Sequence, residues 1–366
     1  MDEDKERELF ETAPVHKAVA ALAIPSIISQ IVSIIYNLAD TFFIGQIGNP
    51  YMVAAVTLIY PWFNILTALG NLFGIGGSSL ISRMLGSGNH KNVKYVSAFS
   101  FYGGIAATFL FSLCSLIFRT PLLKILGASE ENFQYASSYL MWVVVLGGIP
   151  IMLNMTLAHL LRSEGYAKKA SAGIMFGGVL NIILDPILMF GIGMGFIGSA
   201  VATAFSNLAS ALFFLIVFYQ LRNKTAMSLS IRIFSMRFAI PVFSVGIASA
   251  LTTALANASN MVIVKLASGY GDISLAAYGI VKKIDLFPLG VCMGLCQGFM
   301  PLVGYNYAAK NYKRMRQISV FSWKTALIIA ASFVICFLCF ATWIVQAFIQ
   351  DTQTGTLGAA FLRIPC

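Results

Sequence analysis

Asn181 and Asp185 lie four residues apart inside an apolar stretch, 171–190, that is long enough to cross a lipid bilayer. A carboxylate at the centre of a membrane helix costs about 2.5–3.5 kcal/mol on insertion scales, so it marks a functional site by default. Side chains four residues apart share one face of a helix. An acid and an amide on one face at this depth predict a site that binds or carries a cation.

Two further oxygen-bearing side chains are expected at the depth of Asp185. Asp185 precedes the turn centred near Gly193 by about as many residues as Thr203 follows it. The two side chains should therefore lie at a similar depth. Asp40 precedes the end of its own apolar stretch, near Gly48, by a similar distance. The predicted coupling site therefore comprises Asp40, Asn181, Asp185 and Thr203, with Tyr36, Asn37 and Pro186 in support.

Two carboxylates with amide and hydroxyl oxygens in a partly dry cavity allow two kinds of chemistry. The carboxylates can carry a proton, or the oxygens can replace the water shell of a small cation such as Na⁺. The structural alternative is a polar cluster that ties the helices together by hydrogen bonds. We favour the coupling site, because a single asparagine would suffice for the structural role.

Asp285 is a further acid in apolar surroundings, and its setting differs. Lys282 lies three residues before it on the same helical face and can neutralise it. An ion pair within the helix and a contact with a substrate both remain open for Asp285. Lys283 would then face a water-filled cavity or another partner.

The overall composition is that of an integral membrane protein. Of the 366 residues, 58% are hydrophobic and 10% are charged, whereas soluble domains carry about 25% charged residues. Residues 1–11 hold six acids and therefore do not resemble a basic leader peptide. The net charge of +10 comes mainly from loops on one side of the membrane. This pattern predicts a plasma-membrane protein with a cytoplasmic N-terminus and no nucleic-acid partner.

Apolar stretches separated by short polar, Gly- or Pro-containing breaks predict nine complete transmembrane helices and the start of a tenth, named spans 1 to 10. Prolines in or next to these spans permit bends, and Pro186 beside Asp185 is the one that we connect to gating. The approximate bounds of the spans are 18–46, 51–83, 95–118, 133–161, 170–190, 196–221, 237–267, 273–308, 317–343 and 355–366.

The second half of the chain repeats the first. The tripeptide AIP at 23–25 recurs at 239–241, and farther along a constant offset of 222 pairs Gly76 with Gly298. Six spans separate the copies, so both begin on the same side of the membrane, as parallel repeats do. The predicted fold is an all-α membrane bundle of two lobes with 6+6 spans, and most of spans 10 to 12 is absent, as in a truncated form of a longer chain. The predicted segments are 1–17 (N-terminal segment), 18–222 (N-lobe), 223–236 (linker) and 237–366 (incomplete C-lobe).

Several familiar motifs fail on their context. The G-x-G-x-x-G run at 193–198 joins two apolar helices and follows no strand, so a nucleotide site is not expected. The C-x-x-C run at 336–339 lies in an apolar helix, where a thiol behaves as a small hydrophobe. We expect no catalytic residues, no structural metal and no cofactor beyond the coupling ion. The Gly-xxx-Gly pairs at 70–74, 173–177 and 294–298 predict close packing of helices.

Five motifs together carry a family resemblance: IYNLADTFFIG (35–45), GIGGSSLISR (74–83), LNIILDP (180–186), GSAVAT (198–203) and MGLCQGFMP (293–301). On these motifs the chain resembles the MATE (multidrug and toxic compound extrusion) transporters, from about residue 10 to residue 366. The resemblance implies two six-helix lobes around a V-shaped central cavity. It also implies export of cationic compounds driven by inward flow of Na⁺ or H⁺.

The resemblance extends to the site residues. In relatives the cation site of the N-lobe is formed by the positions that match Asp40, Asn181, Asp185 and Thr203. Some relatives carry a glutamate on span 7 or 8, where the matching position here is Gln297, so a second carboxylate site is not implied. Possible substrate contacts in the C-lobe are Lys283, Asp285 and Gln297.

Two other functions use similar features. A lipid-linked precursor flippase of related architecture would need cationic residues lining the N-lobe cavity, and the centres of spans 1 to 6 hold none. An intramembrane aspartyl protease needs two acids as a general acid and base, and the six-helix repeat argues against it. We therefore predict a transporter and not an enzyme, acting as a monomer, with small-molecule cations and the lipid bilayer as its partners.

Overall fold

The computed structural model describes residues 8–47, 50–270, 272–346 and 352–364, and this part of the chain is helical without any strand. The start of the predicted N-terminal segment and the end of span 10 lie outside the described residues. The helices are α1 (Val15–Gln46), α2 (Pro50–Gly86), α3 (His90–Ile117), α4 (Arg119–Ile125), α5 (Glu130–Leu140), α6 (Gly148–Ser163), α7 (Ala167–Pro186), α8 (Phe196–Leu221), α9 (Ala239–Ser268), α10 (Asp272–Ala308), α11 (Tyr312–Gln346) and α12 (Thr352–Arg363), with π-helical segments at Met141–Leu146 and Ile187–Gly191.

Eight of the nine predicted complete spans are confirmed as single helices. Within the described residues, eight helices are long and apolar enough to cross a membrane, and the bent pair of α5 and α6 makes a ninth. Span 6, predicted at 196–221, coincides with α8, and the other bounds shift by a few residues. α12 corresponds to the predicted start of span 10.

The prediction of span 4 as one helix over 133–161 is wrong. α5 begins earlier, because the Ser129 hydroxyl accepts a hydrogen bond from the Asn132 amide at 3.3 Å and caps the helix. After α5 the chain widens into a π-helical segment, and α6 continues at 45° to the first part. Pro150 sits in the first turn of α6, where its missing N–H costs no hydrogen bond. Hydropathy alone shows neither the π-helical segment nor the short helix α4.

The hairpin between spans 5 and 6 turns at its predicted position. Gly193 and Gly195 have φ angles of +80° and +56°, in the left-handed region that favours glycine. α7 ends at Pro186, and the chain passes through a π-helical segment into this turn. The break in regular α-helix therefore lies directly after Pro186, the residue that follows Asp185.

The two lobes meet through equivalent helices. α1 packs against α10, and α9 packs against α2. In the repeat, α9 is the counterpart of α1 and α10 is the counterpart of α2. The two contacts are thus the same contact made by either copy, as expected for parallel repeats around an axis along the membrane normal.

Glycines let these helices approach closely. A Cβ atom on Gly298 of α10 would overlap the backbone of Ala23 in α1, and one on Gly76 of α2 would overlap that of Val242 in α9. Gly76 and Gly298 are equivalent positions of the repeat. The predicted packing face at 294–298 is therefore confirmed, with α1 as its partner.

Apolar side chains fill the N-lobe and also cover the outside of the molecule. Phe99, Leu160 and Phe214 are buried in the largest core cluster. Leu110 and Ile117 of α3, in the N-lobe, are 60% and 64% exposed. Apolar surface of this kind suits hydrocarbon, in which lipid replaces water as the solvent.

A buried acid ties the linker between the lobes to the N-lobe. Glu164 is 6% exposed and accepts hydrogen bonds from the Thr225 hydroxyl and, at 3.1 Å, from the Ala226 amide. The Ser97 hydroxyl donates to the Ser228 carbonyl at 2.9 Å. A buried carboxylate supplied with donors in this way serves the structure.

Candidate cation-coupling site

The candidate site lies where α1, α7 and α8 approach each other. Gly178 of α7 faces α1, and a Cβ atom there would lie 3.2 Å from the side chains of Val32 and Tyr36. Gly198 of α8 faces the π-helical segment after α7, and a Cβ atom there would lie 2.8 Å from the backbone of Met189. These approaches bring the polar side chains of three helices within reach of one another.

Asp185 and Asn181 form the buried part of the site. Asp185 is 0% exposed and Asn181 is 1% exposed. The Asn181 amide donates from Nδ2 to the Thr203 hydroxyl at 3.4 Å, which joins α7 to α8. Both carboxylate oxygens of Asp185 and the amide oxygen of Asn181 are buried without a hydrogen-bond partner among the described residues. Unpaired oxygens at this depth are costly in a folded protein and fit a bound cation or proton.

Asp40 supplies the second carboxylate from α1. The Ser199 hydroxyl of α8 donates to Asp40 Oδ1 at 2.6 Å. Asp40 and Asp185 are close enough to interact electrostatically. The half-buried acid of α1 and the fully buried acid of α7 therefore belong to one site.

The structure brings the four predicted coupling residues to this meeting of helices, while the supporting residues differ. Tyr36 lies against Gly178 and within electrostatic range of Asp40. Asn37 is exposed, and its Nδ2 donates to the Ser33 carbonyl of its own helix at 2.7 Å. Tyr36 thus reaches the site directly, and Asn37 is joined to it by a side-chain hydrogen bond with Tyr36.

Ser199 is a site residue that the sequence analysis missed. It lies four residues before Thr203 and therefore on the same face of α8. It donates the shortest described hydrogen bond of the site, to Asp40. The helical spacing from Thr203 is the signal that could have identified it.

Tyr139 is a second missed residue, and it comes from α5. Its side chain is 7% exposed and lies within electrostatic range of Asp40, Asp185 and Tyr36. The Tyr139 ring stacks on Phe196 of α8 with centroids 5.5 Å apart. Spacing along the chain does not predict this contact, because it depends on how α5 packs against α8.

A second layer of amides joins α6 to the site. Asn207 Nδ2 donates to the Thr203 carbonyl at 2.8 Å. Asn154 Nδ2 of α6 donates to Asn207 Oδ1 at 3.1 Å. One hydrogen bond between side chains thus joins α6 to the turn of α8 that carries Thr203.

The candidate substrate contacts of the C-lobe do not form a comparable cluster. Lys283 is exposed, and Asp285 is half-buried within electrostatic range of Tyr278. Gln297 is half-buried and lies about 18 Å farther along α10 than Asp285, at 1.5 Å per residue. The ion pair between Lys282 and Asp285, and the contacts of these residues with substrate, stay predictions.

The chain matches one protein family along most of its length. The family model MatE matches residues 25–187 and 248–366, in both copies of the repeat. The chain belongs to the MatE family. The resemblance that its motifs carry is thereby confirmed.

Relatives in this family include staphylococcal export proteins. The multidrug export protein MepA of Staphylococcus aureus strain MSSA476 is 35% identical over 366 residues, covering 99% of this chain and 80% of the relative. The multidrug export protein MepA of Staphylococcus saprophyticus is 34% identical over 334 residues, covering 91% of this chain and 74% of the relative. Membership among export proteins makes this MatE chain a transporter and not an enzyme.

Solved structures confirm the fold. The crystal structure of MATE in complex with MaL6 aligns with a TM-score of 0.91 at 25% identity, covering 98% of this chain and 80% of that chain. An outward-facing conformation of a multidrug resistance MATE family transporter of the MOP superfamily aligns with a TM-score of 0.90 at 25% identity, covering 98% and 79%. The two-lobe helical architecture of the MatE family is thus the architecture of this chain.

The protease alternative is set aside on this evidence. Such a protease is expected to carry one of its acids in a Gly-x-Gly-Asp run. The one run of this kind in the sequence, at 269–272, contains neither Asp40 nor Asp185. Asp40 and Asp185 are placed by the MatE fold, whose relatives export compounds.

Proposed function

We propose that this MatE protein is a secondary active antiporter that exports cationic organic compounds across the bacterial plasma membrane. The observation that carries the proposal is the fully buried carboxylate of Asp185, whose oxygens lack described partners, beside Asn181 and Thr203. Export of several drugs is the activity that the names of the staphylococcal relatives state. Inward flow of H⁺ or Na⁺ through this site would drive the export.

The geometry suggests how binding at the site reaches the rest of the molecule. A proton or cation at Asp185 and Asp40 removes the repulsion between two nearby negative charges. The Asp40 carboxylate belongs to α1, and α1 packs both on α7 of its own lobe and on α10 of the other lobe. A change in the hydrogen bond between Asp40 and Ser199 would therefore shift the position of α1, which contacts helices of both lobes. Ion and drug would bias one equilibrium between two arrangements of the lobes.

Both candidate ions fit the donor set. A proton needs one carboxylate that can be neutralised, which Asp185 or Asp40 provides. Na⁺ prefers several hard oxygens, which the Asp185 carboxylate, the Asn181 amide and the Thr203 hydroxyl offer together. We propose the site for either ion, and imposed gradients distinguish the two.

The test is export of ethidium from proteoliposomes that carry the full chain, with pH and Na⁺ gradients imposed separately. We expect one of the two gradients to drive export by the parent chain. Asp185→Asn and Asp40→Asn should each lower the gradient-driven rate by more than about tenfold, since an amide can neither release a proton nor match the charge of a carboxylate.

The matched control is Glu131→Gln, which removes an exposed acid from the first turn of α5 and should leave the rate unchanged. Export that responds to a gradient but is undiminished in both aspartate variants would refute the proposed site. Export that responds to neither gradient would refute the antiport mechanism itself.

A further inference from the structure

The chain just before α1 is bound by polar side chains of the C-lobe. Arg314 of α11 donates from Nε to the Phe10 carbonyl at 2.8 Å and from Nη2 to the carbonyls of Ala13 and Leu9 at 2.7 and 3.3 Å. Asn306 of α10 donates from Nδ2 to the same Phe10 carbonyl at 3.1 Å. One guanidinium and one amide thus hold the backbone of segment 8–13.

The Phe10 side chain lies between the two lobes. It is 4% exposed, and a Cβ atom on Gly165 would lie 3.1 Å from its ring. Phe10 also shares a buried apolar cluster with Ala167, the first residue of α7. Gly165 and Ala167 belong to the N-lobe, so the ring closes the seam that Arg314 approaches from the C-lobe.

Tyr305 of α10 completes the same junction. Its hydroxyl donates to Glu11 Oε1 at 2.6 Å, and its ring lies 5.0 Å from that of Phe10. Its backbone lies against the end of α2, where a Cβ atom on Gly86 would overlap the Tyr305 carbonyl. Segment 8–13 therefore covers a place where the two lobes are already in direct contact.

The two sides of the segment are held by different forces. On the C-lobe side, directional hydrogen bonds hold the segment. Arg314 and Asn306 donate to its backbone, and the Tyr305 hydroxyl donates to the Glu11 side chain. On the N-lobe side, the Phe10 ring packs against Gly165 in an apolar cluster that includes Ala167, and apolar packing has no preferred direction. When the lobes part at this end, the ring should leave the N-lobe while the backbone stays with Arg314.

We propose that segment 8–13 is a gate at this end of the transport pathway, and that Arg314 and Asn306 are positioning residues which hold Phe10 across the seam. This inference rests on the proposed transport function and on a cytoplasmic N-terminus. Closure at the seam requires both the Phe10 ring and the guanidinium behind it. The gate must open once in each cycle for a compound to enter from the cytoplasm.

The test measures the opening of the seam without requiring transport. Spin labels placed at Lys91→Cys and Lys313→Cys, exposed residues near the starts of α3 and α11, report the distance between the lobes in a chain whose native cysteines are replaced. We expect Phe10→Ala and Arg314→Gln to raise the population with the longer distance about threefold. The apparent KM for cytoplasmic ethidium should then fall about threefold, because apparent affinity scales with the competent fraction.

Matched variants separate the gate from general damage. Arg316→Gln removes the same charge from an exposed position two residues away and should change neither the distance nor KM. Phe10→Leu keeps an apolar side chain on Gly165 and should restore most of the closed population. Arg314→Lys keeps the charge but lacks the planar fork for three carbonyls, so it should resemble Arg314→Gln.

Distances that stay unchanged in both Phe10→Ala and Arg314→Gln would overturn the gate. A shift that Arg316→Gln reproduces would overturn the role of Arg314. If both variants shift the distance as expected but the parent chain exports ethidium under neither gradient, the proposed antiport fails while the gate stands. The two failures are therefore distinguishable.

Discussion

The two copies of the repeat place different groups at corresponding points of their first helix. α1 carries Asp40, whereas the corresponding stretch of α9, 256–262, carries Asn257 and Asn260 and no acid. Asn257 accepts a hydrogen bond from Asn64 of α2 at 3.2 Å. Asn260 accepts one from the Tyr278 hydroxyl at 3.1 Å. The α9 amides are thus neutral and bonded to neighbouring helices.

The N-lobe copy holds its polar groups differently. Asp40 is bonded by Ser199, but the nearby Asp185 is fully buried with two oxygens that lack described partners. Glu164, the other buried acid of that lobe, receives donors from the linker. The shared fold thus determines where the helices of both copies pack. A buried acid without hydrogen-bond donors among the described residues, such as Asp185, indicates a ligand-binding site.

The largest expected effect tests which copy binds the coupling ion. Asp185→Asn should weaken binding of the ion by more than about tenfold, because a neutral amide replaces the charge that attracts it. Asp285→Asn, the same chemical change at the half-buried acid of α10, should alter binding by less than about twofold. Binding of radioactive Na⁺ to the purified proteins measures the affinity for Na⁺. The protons that the purified proteins release on adding ethidium report the binding of H⁺. Equal losses in the two variants would abolish the distinction between the copies.

Much of this arrangement could be predicted from the sequence, because depth in a membrane is a local property of a helix. The positions of Asp40, Asp185 and Thr203 relative to helix ends sufficed to place them at one level. The turn at Gly193 and the parallel repeat were likewise readable from the printed residues. Rise per residue is constant along an α-helix, so these distances carry over to the structure.

Other features depend on contacts between distant parts of the chain. The place of Tyr139 beside the acids depends on how α5 packs against α8, and hydropathy contains no signal for that packing. The docking of Phe10 depends on Arg314, which is about three hundred residues away and reads in the sequence as one more basic residue of a loop. Asn37 was grouped with Asp40 by spacing, yet its amide bonds along its own helix. Spacing along the chain predicts approximately which face of a helix a residue lies on. Packing between helices decides which side chains of that face reach the site.

A smaller effect is expected from the hydrogen bond that joins α8 to α1. Ser199→Ala removes the hydroxyl that donates to Asp40, and a hydrogen bond to a charged group contributes about 1.5–3 kcal/mol. The initial rate of ethidium export should fall about tenfold, which corresponds to about 1.4 kcal/mol. Ser244→Ala is the control in α9, where the hydroxyl donates only to its own helix in the described contacts, at the Pro241 carbonyl. A rate for Ser199→Ala within twofold of the parent chain would make this bond incidental.

The smallest effect is expected from the C-lobe bond between Tyr278 and Asn260. Tyr278→Phe removes one hydrogen bond between α9 and α10, and bonds of this kind in membrane proteins contribute about 0.6 kcal/mol. We expect slightly lower thermal stability in detergent and an export rate within about twofold of the parent chain, because the amide is a structural group in this copy. Tyr307→Phe, an exposed tyrosine of the same helix, should change neither quantity. If Tyr278→Phe slowed export as much as Ser199→Ala, the neutral copy would share in the coupling, and the division of roles between the two lobes would have to be redrawn.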